Sequence, residues 1–253
     1  MLFPISDDDR RLSGSAYVTL AFAVVNLVVF FVFQQAGANT DFIYGWSVIP
    51  AEITSGTDLV ASQTVEARGQ QVEVPGAPGP EPIYLTVLTA MFMHGGYAHL
   101  FGNLLYLWIF GDNVEERIGS VAFLGFYVLC GVAATFAQIG LDPDGVLPNL
   151  GASGAISGVL GAYIVFFPRN RVHALFFYFV VSVPAFIAIG TWILFQFFNG
   201  LGAVVATETA VGGVAYGAHI GGFLTGVLAG GLWRLVGSKE ASTLSARSPR
   251  RKG

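Results

Sequence analysis

From Ser15 to Ala36, twenty-two consecutive residues carry no charge. About 20 predominantly apolar residues suffice to cross the hydrocarbon core of a bilayer, so this run places the chain in a membrane before anything else is read. The apolar region of a cleaved signal peptide is only about 7–15 residues long, shorter than this one. Composition agrees: 54% of the 253 residues are hydrophobic and 11% charged, where an ordinary globular protein has roughly a quarter charged. A net charge of −4 leaves no basic stripe and argues against a nucleic-acid partner. One cysteine, Cys130, allows no intrachain disulfide and cannot by itself build a metal site. Neither metal nor cofactor is expected.

Further apolar runs lie at about 97–115, 120–139, 152–167, 175–198 and 214–236, making six candidate spans of an all-α membrane protein. The fifth is interrupted at Ser182, Val183 and Pro184, so it begins with a few extended residues. Orientation follows from counting charges. With the N-terminus inside, Arg10, Arg11, Arg117, Arg169, Arg171, Arg234, Lys239, Arg247, Arg250, Arg251 and Lys252 all fall on the inner side and only Arg68 falls outside. That satisfies the positive-inside rule with both termini cytoplasmic. The chain then divides into a cytoplasmic segment 1–14, a membrane domain 15–236 and a polar, basic, disordered tail 237–253. Within the domain, the first outer loop, 37–83, carries six acidic residues and the stretch PGAPGPEP, and reads as a lid or interfacial segment.

Polar groups inside spans are costly and usually functional, and here they are few. The segment FMHGGYAHLFGN brings His94 and His99 to the outer entry of the second span, with Asn103 one turn beyond His99 on the same helix face. The fourth span opens with GASGAISG, containing Ser153, and the sixth contains AYGAHIGG, with His219. Spans two, four and six all start on the outer side. At about 1.5 Å per residue, His99, Asn103, Ser153 and His219 therefore lie at similar depth, within roughly 10 Å of their helix ends. Gly154 and Gly158, then Gly222, Gly226 and Gly230, recur every four residues, a spacing that lets helices four and six touch and Ser153 meet His219.

A serine hydroxyl needs a base within hydrogen-bond reach and donors aimed at the developing oxyanion. Ser153 supplies the nucleophile and His219 the base. His99, Asn103 and the Ser153 backbone N–H, at a helix N-terminus, supply the oxyanion donors. No carboxylate lies beside His219, since Glu208 precedes the sixth span and Asp112 ends the second. The arrangement is a dyad. His94, beside Gly95 and Gly96, is assigned a structural bond to loop backbone.

These residues resemble the rhomboid family of intramembrane serine proteases. GASG at 151–154 is similar to the family's GxSG nucleophile motif, with Gly151 and Gly154 flanking the serine. AHIGG at 218–222, including Gly222, is similar to the catalytic-histidine segment, and HGGYAHLFGN at 94–103 to the HxxxxHxxxN motif. FGDNVEERIG at 110–119 and FFPRNRV at 166–172 extend the resemblance to about residues 15–236. The resemblance implies a six-helix rhomboid-like bundle, N-in and C-in, with an outward-facing site. It also implies transmembrane protein substrates cut in or near a span, no cofactor, and a location in the cell membrane of a prokaryote. Two departures stand out. Ser157 occupies the position where family members often carry an aromatic residue packed on the catalytic histidine, and the family's Trp-Arg pair in the first outer loop is absent.

Rival chemistries lack their signatures. No H-E-x-x-H string is present for a zinc protease, and Asp112, Asp142 and Asp144 lie at span ends or in a loop, which rules out an aspartyl pair. A non-catalytic relative that binds client helices would typically have lost the serine or the histidine. A transporter would need a polar path to the cytoplasm and an inverted repeat, and neither is visible.

Overall fold

A computed structural model describes residues 2–8, 16–67, 70–205 and 215–247. Arg10, Arg11, Arg68, Glu208, Arg250, Arg251 and Lys252, all used in the sequence argument, lie outside them. Along the chain come strand β1 (Phe3–Asp7), helix α1 (Tyr17–Val28) with a π-helical continuation (Val29–Phe33), and the short helices α2 (Thr40–Trp46) and α3 (Pro50–Ser55). The hairpin β2 (Gln63–Ala67) and β3 (Gln70–Val74) follows, then α4 (Thr86–Thr89), α5 (Tyr97–Ile118), α6 (Ser120–Ile139) and α7 (Ser153–Phe166). A second hairpin, β4 (Arg171–Phe176) and β5 (Phe179–Pro184), leads into α8 (Ala185–Val205) and α9 (Tyr216–Arg247). Each of the six apolar runs thus holds a helix. Among the described residues, Ser120–Ile139 is the one helix long and apolar enough to cross a membrane on its own, and Tyr17–Phe33, Ile83–Phe92, Ser153–Phe166 and Ala185–Gly200 are shorter apolar helices.

The central helix is α7. Every residue from Gly154 to Tyr163 is buried, as expected of a helix that is apolar on all sides. Its closest neighbour is α9, and the glycines explain the fit. A Cβ on Gly222 would run into the carbonyl oxygen of Gly154, one on Gly226 into that of Gly158, and one on Gly161 into that of Phe223. Two backbones are therefore in van der Waals contact, which only small residues permit. A Cβ on Gly158 would also meet Cys130 of α6, so Cys130 packs in a three-helix junction. On the other side of α9, Leu224, Leu228 and Leu232 are exposed at four-residue spacing, as are Leu194 and Phe198 on α8, while Leu129 and Phe136, seven residues apart, are exposed on α6. Small residues face inward and large apolar ones outward, the reverse of a helix bundle in water.

The extended start expected of the fifth run is present as a strand: β4 and β5 occupy 171–184, where β-branched Val180, Val181 and Val183 favour extended backbone and Pro184 precedes the helix. Three other segments hold more structure than the sequence reading gave them. The N-terminal segment is not a mere lead-in, because β1 pairs antiparallel with β4 to make a sheet ordered β1-β4-β5. The polar tail from Gly237 is not uniformly irregular, since α9 continues to Arg247. The outer loop is built from regular elements: Asn39 caps α2 through the Phe42 N–H at 3.2 Å, and β2–β3 closes a hairpin.

That loop matters for the site because it holds the segment preceding α7. Val48 and Asn149 exchange backbone hydrogen bonds of 3.0 and 2.7 Å, and the Ala51 N–H donates to Gly145 O at 3.0 Å. Thr54 Oγ1 donates to Pro143 O at 2.9 Å.

Candidate active site

Ser153 is the first residue of α7 and half-buried. Two residues earlier Gly151 adopts φ +137° and donates its N–H to Ala90 O at 2.9 Å. A side chain there would be strained and would also press on the His99 ring, whose Cε1 and Nε2 both lie 2.8 Å from an ideal Cβ. Glycine is thus needed at 151 both for its backbone conformation and to let His99 approach the turn that presents Ser153.

His219, in the first turn of α9, is buried. Its Nε2 lies 2.8 Å from Ser153 Oγ, so the seam of glycines brings together the two residues that the sequence argument paired. Gln138 of α6 fixes this end of α9, its Oε1 accepting the Ala218 N–H at 3.2 Å.

His99 and Asn103 share a face of α5, one turn apart. His99 Nδ1 accepts the Gly95 N–H at 3.3 Å. A neutral imidazole with Nδ1 accepting carries its proton on Nε2, so the nitrogen over Gly151 is a donor. Asn103 is buried and its Nδ2 has no hydrogen-bond partner. A buried donor left unpaired costs about 1–3 kcal/mol, which makes it conspicuous.

The His94 ring meets the backbone of Phe92, the contact with loop backbone expected of it. Its main chain is clamped as well: Gln34 Oε1 accepts the His94 N–H and Gln34 Nε2 donates to the His94 carbonyl, both at 2.9 Å. The ring packs edge-on against His99, with centroids 5.1 Å apart. Burial first, then the neighbouring His99, pushes its pKa down to about 3 against the opposing bond to the Phe92 backbone, so it stays neutral.

Two residues of α8 that sequence reasoning passed over complete the surroundings of His219. Gln196 Oε1 lies 2.9 Å from His219 Nδ1, and the Trp192 ring lies 5.8 Å from the imidazole, tilted by 36°. They are four residues apart and so share one helix face. Ser157 does nothing of the kind, its hydroxyl donating back to Ser153 O at 2.6 Å. The aromatic neighbour missing at 157 thus comes from another helix. Gln196 had a signal, a buried amide in an otherwise apolar run, but nothing in the sequence says which way it faces.

Beside Ser153 a small cavity is lined by Met91, by Thr135 and Gln138 of α6, by Asn149 of the α6–α7 turn and by Ala218 of α9. Among the described residues no cluster of three or more His, Cys, Asp or Glu could hold a metal ion.

The model of the Rhomboid domain family matches residues 82–235, over half of the chain and all the site residues just described except Gln34. The chain belongs to the rhomboid family. It is therefore a membrane protein of a hydrolase family that performs intramembrane proteolysis. Similar proteins include "Rhomboid protein 1, mitochondrial" of Saccharomyces cerevisiae, 32% identical over 153 residues, covering 58% of this chain and 41% of that one. "Rhomboid protease GluP" of Bacillus subtilis is 30% identical over 63% of this chain and 26% of its own. "Presenilin-associated rhomboid-like protein, mitochondrial" of Bos taurus is 30% identical over 59% and 38%. The matches span less than half the length of each relative. Two of the three are named as mitochondrial, so the expected prokaryotic plasma-membrane location draws no support from these rhomboid relatives, whereas membership in a membrane-protein family stands.

Proposed function

We propose that this rhomboid is an active serine endopeptidase that cuts transmembrane protein substrates in or near a span, using Ser153 and His219 as a dyad. The observation that carries the reading is the 2.8 Å contact between Ser153 Oγ and His219 Nε2, within the reach a general base requires. Ser153 Oγ attacks the scissile carbonyl carbon while its proton passes to His219 Nε2. The oxyanion is met by the His99 Nε2–H, the Asn103 Nδ2–H and the Ser153 N–H. Collapse of the tetrahedral intermediate breaks the C–N bond, and His219 returns the proton to the leaving amine. Water then attacks the acyl-enzyme with His219 again as base, releasing the acid and free Ser153. The unpaired Nδ2 of Asn103 supports its role, because a donor idle in the free protein gains its partner only when the oxyanion forms.

In this reading six helices, α1 and α5 to α9, cross the bilayer with both termini cytoplasmic. At 1.5 Å per residue the 14 residues of α7 span about 21 Å, short of a hydrocarbon core of about 30 Å. Ser153 therefore sits recessed in the outer half. Thr135, Gln138 and Asn149 at the adjacent cavity give water a polar footing there. The Ala and Gly lining of that cavity admits a small substrate side chain, which fits substrates whose helix is weakened by small residues.

The test is reaction of detergent-solubilised protein with a fluorophosphonate and with a single-span substrate. Wild type is labelled at Ser153 and cleaves. Ser153→Ala and His219→Ala lose cleavage by at least about 10⁴-fold with unchanged thermal unfolding. A folded wild type that neither labels nor cleaves overturns the proposal and leaves a non-catalytic protein that binds client helices.

A further inference from the structure

A dyad leaves one question open: what makes the imidazole a base on the correct nitrogen. A neutral imidazole carries a single N–H, and only the tautomer protonated on Nδ1 exposes a lone pair on Nε2 toward Ser153. The second contact of His219 decides between them. Gln196 Oε1 lies 2.9 Å from Nδ1, opposite the Ser153 contact, and Gln196 is buried in the middle of α8, a helix whose neighbouring side chains are apolar. An amide in that setting costs free energy unless it is bonded.

We propose that Gln196 is the positioning residue of the site, its amide oxygen accepting the His219 Nδ1–H and so holding the lone pair of Nε2 on Ser153 Oγ. The proposal rests on the catalytic reading above and deepens it, turning the dyad into a Ser153–His219–Gln196 line drawn from α7, α9 and α8. Trp192, one turn away on the same face, packs beside the ring at 5.8 Å and limits its tilt. When His219 takes the serine proton, both ring nitrogens are donors, and the same amide oxygen remains the acceptor for Nδ1–H. No bond at Nδ1 has to be remade during the reaction. A neutral amide performs this task without placing a fixed negative charge in the hydrocarbon region, where a carboxylate is expensive. Rotating the amide by half a turn would set its NH₂ against Nδ1, force the proton onto Nε2 and leave Ser153 without a base, so the orientation of this one side chain is what the proposal stakes.

The experiment compares full-length wild type with Gln196→Met, which keeps the shape but lacks a strong acceptor, Gln196→Glu, which keeps a carbonyl acceptor and, when ionised, can only accept, and Gln196→Asn, which withdraws the oxygen by one methylene. Expected for Met is a fall in kcat of about 10- to 100-fold with KM within about twofold, a fraction of the 10²–10⁴ that general base catalysis supplies. Glu restores kcat at least tenfold over Met, and Asn falls between them. Nitrogen-15 NMR of histidine-labelled protein reads the tautomer without turnover: His219 is protonated on Nδ1 in wild type and in Glu, and loses that preference in Met. A Met variant with wild-type kcat and an unchanged His219 signal overturns the role of Gln196 while leaving the dyad in place. Loss of labelling and cleavage already in wild type instead overturns the dyad itself, and the NMR signal then still tells whether Gln196 sets the tautomer. Should Met fail to fold, the Glu-against-Asn difference in kcat decides, and equal activities refute the proposal.

Discussion

The two ends of α7 solve opposite problems with similar residues. At the far end from Ser153, Tyr163 donates to Asp7 Oδ2, Asn113 Nδ2 donates to the same oxygen at 3.1 Å, and Asn170 Nδ2 donates to the Tyr163 hydroxyl at 3.2 Å. Nearby, Glu115 accepts the Val18 and Thr19 backbone N–H groups at 3.0 and 2.7 Å and hydroxyls from Thr19 and Ser120 at 2.8 and 2.6 Å. It caps the N-terminus of α1, where free amides and the helix dipole favour an anion. At the Ser153 end, by contrast, Asn103 Nδ2 has no partner. Buried polar groups that are fully bonded hold a structure together, and those left with spare capacity are available to a reaction. In the proposed reading it is this contrast between the ends, and not residue type, that distinguishes scaffold from chemistry, since both ends use Asn.

The largest effect tests what joins the ends. Gly226→Leu drives a side chain into the Gly158 carbonyl, and we expect a loss of about 3 kcal/mol or more in detergent unfolding, with fluorophosphonate labelling lost alongside the fold. Gly231→Ala, where a Cβ meets nothing within 4 Å, leaves both unchanged. If Gly226→Leu is tolerated, the two helices do not meet along this seam and the ends are not one unit.

Next, Asn103→Ala removes a donor that is idle in the free protein. It lowers kcat by about 10²–10³-fold while the melting temperature holds or rises slightly, because an unsatisfied buried group has been deleted. Marked destabilisation would place Asn103 with the scaffold. Tyr163→Phe is the mirror image: it strips partners from buried Asp7 and Asn170, lowers stability by about 1–3 kcal/mol, and leaves kcat of the folded protein within about twofold. A selective fall in kcat would erase the distinction between the ends.

The smallest effect probes an intermediate case in the outer loop. Buried Glu52 accepts the Leu59 N–H at 2.9 Å and shares a hydrogen bond with the Asp58 carboxyl. Burial raises its pKa to about 7 from an ordinary 4.5, the Leu59 bond opposing and the Asp58 carboxylate adding to the rise. The folded state therefore binds this proton more tightly than the unfolded state. Its contribution to stability is full below about pH 4.5 and is lost as pH rises through about 7. Glu52→Gln flattens that part of the melting-temperature profile and stabilises the protein by about 1 kcal/mol at pH 8. A parallel loss in both proteins between pH 5 and pH 8 would assign the titration elsewhere.

Much of this was legible in the sequence because the membrane makes polarity informative. Where charge is scarce, Ser153, His219, His99 and Asn103 stand out singly, their spacing to glycines and helix ends says which face and depth they share, and apolar runs mark the helices. These are local properties, readable from neighbours a few residues away. Other features depended on distant segments. Phe3–Asp7 reads only as part of a cytoplasmic segment until β4 offers an edge to pair with, and the extended start of the fifth run finds its partner in Arg171–Phe176. His94 meets loop backbone as its sequence position suggests, but that Gln34, sixty residues earlier, holds its main chain could not be read locally.

The sequence by itself determined that the chain belongs in lipid, where its helices run, and which serine and histidine were candidates to meet. Only the tertiary structure decided what stands behind the histidine. Helical periodicity says that Trp192 and Gln196 share a face, but which helix that face meets depends on how α8 is rotated against α9. That rotation is set by packing contacts summed over both helices, which no local pattern encodes.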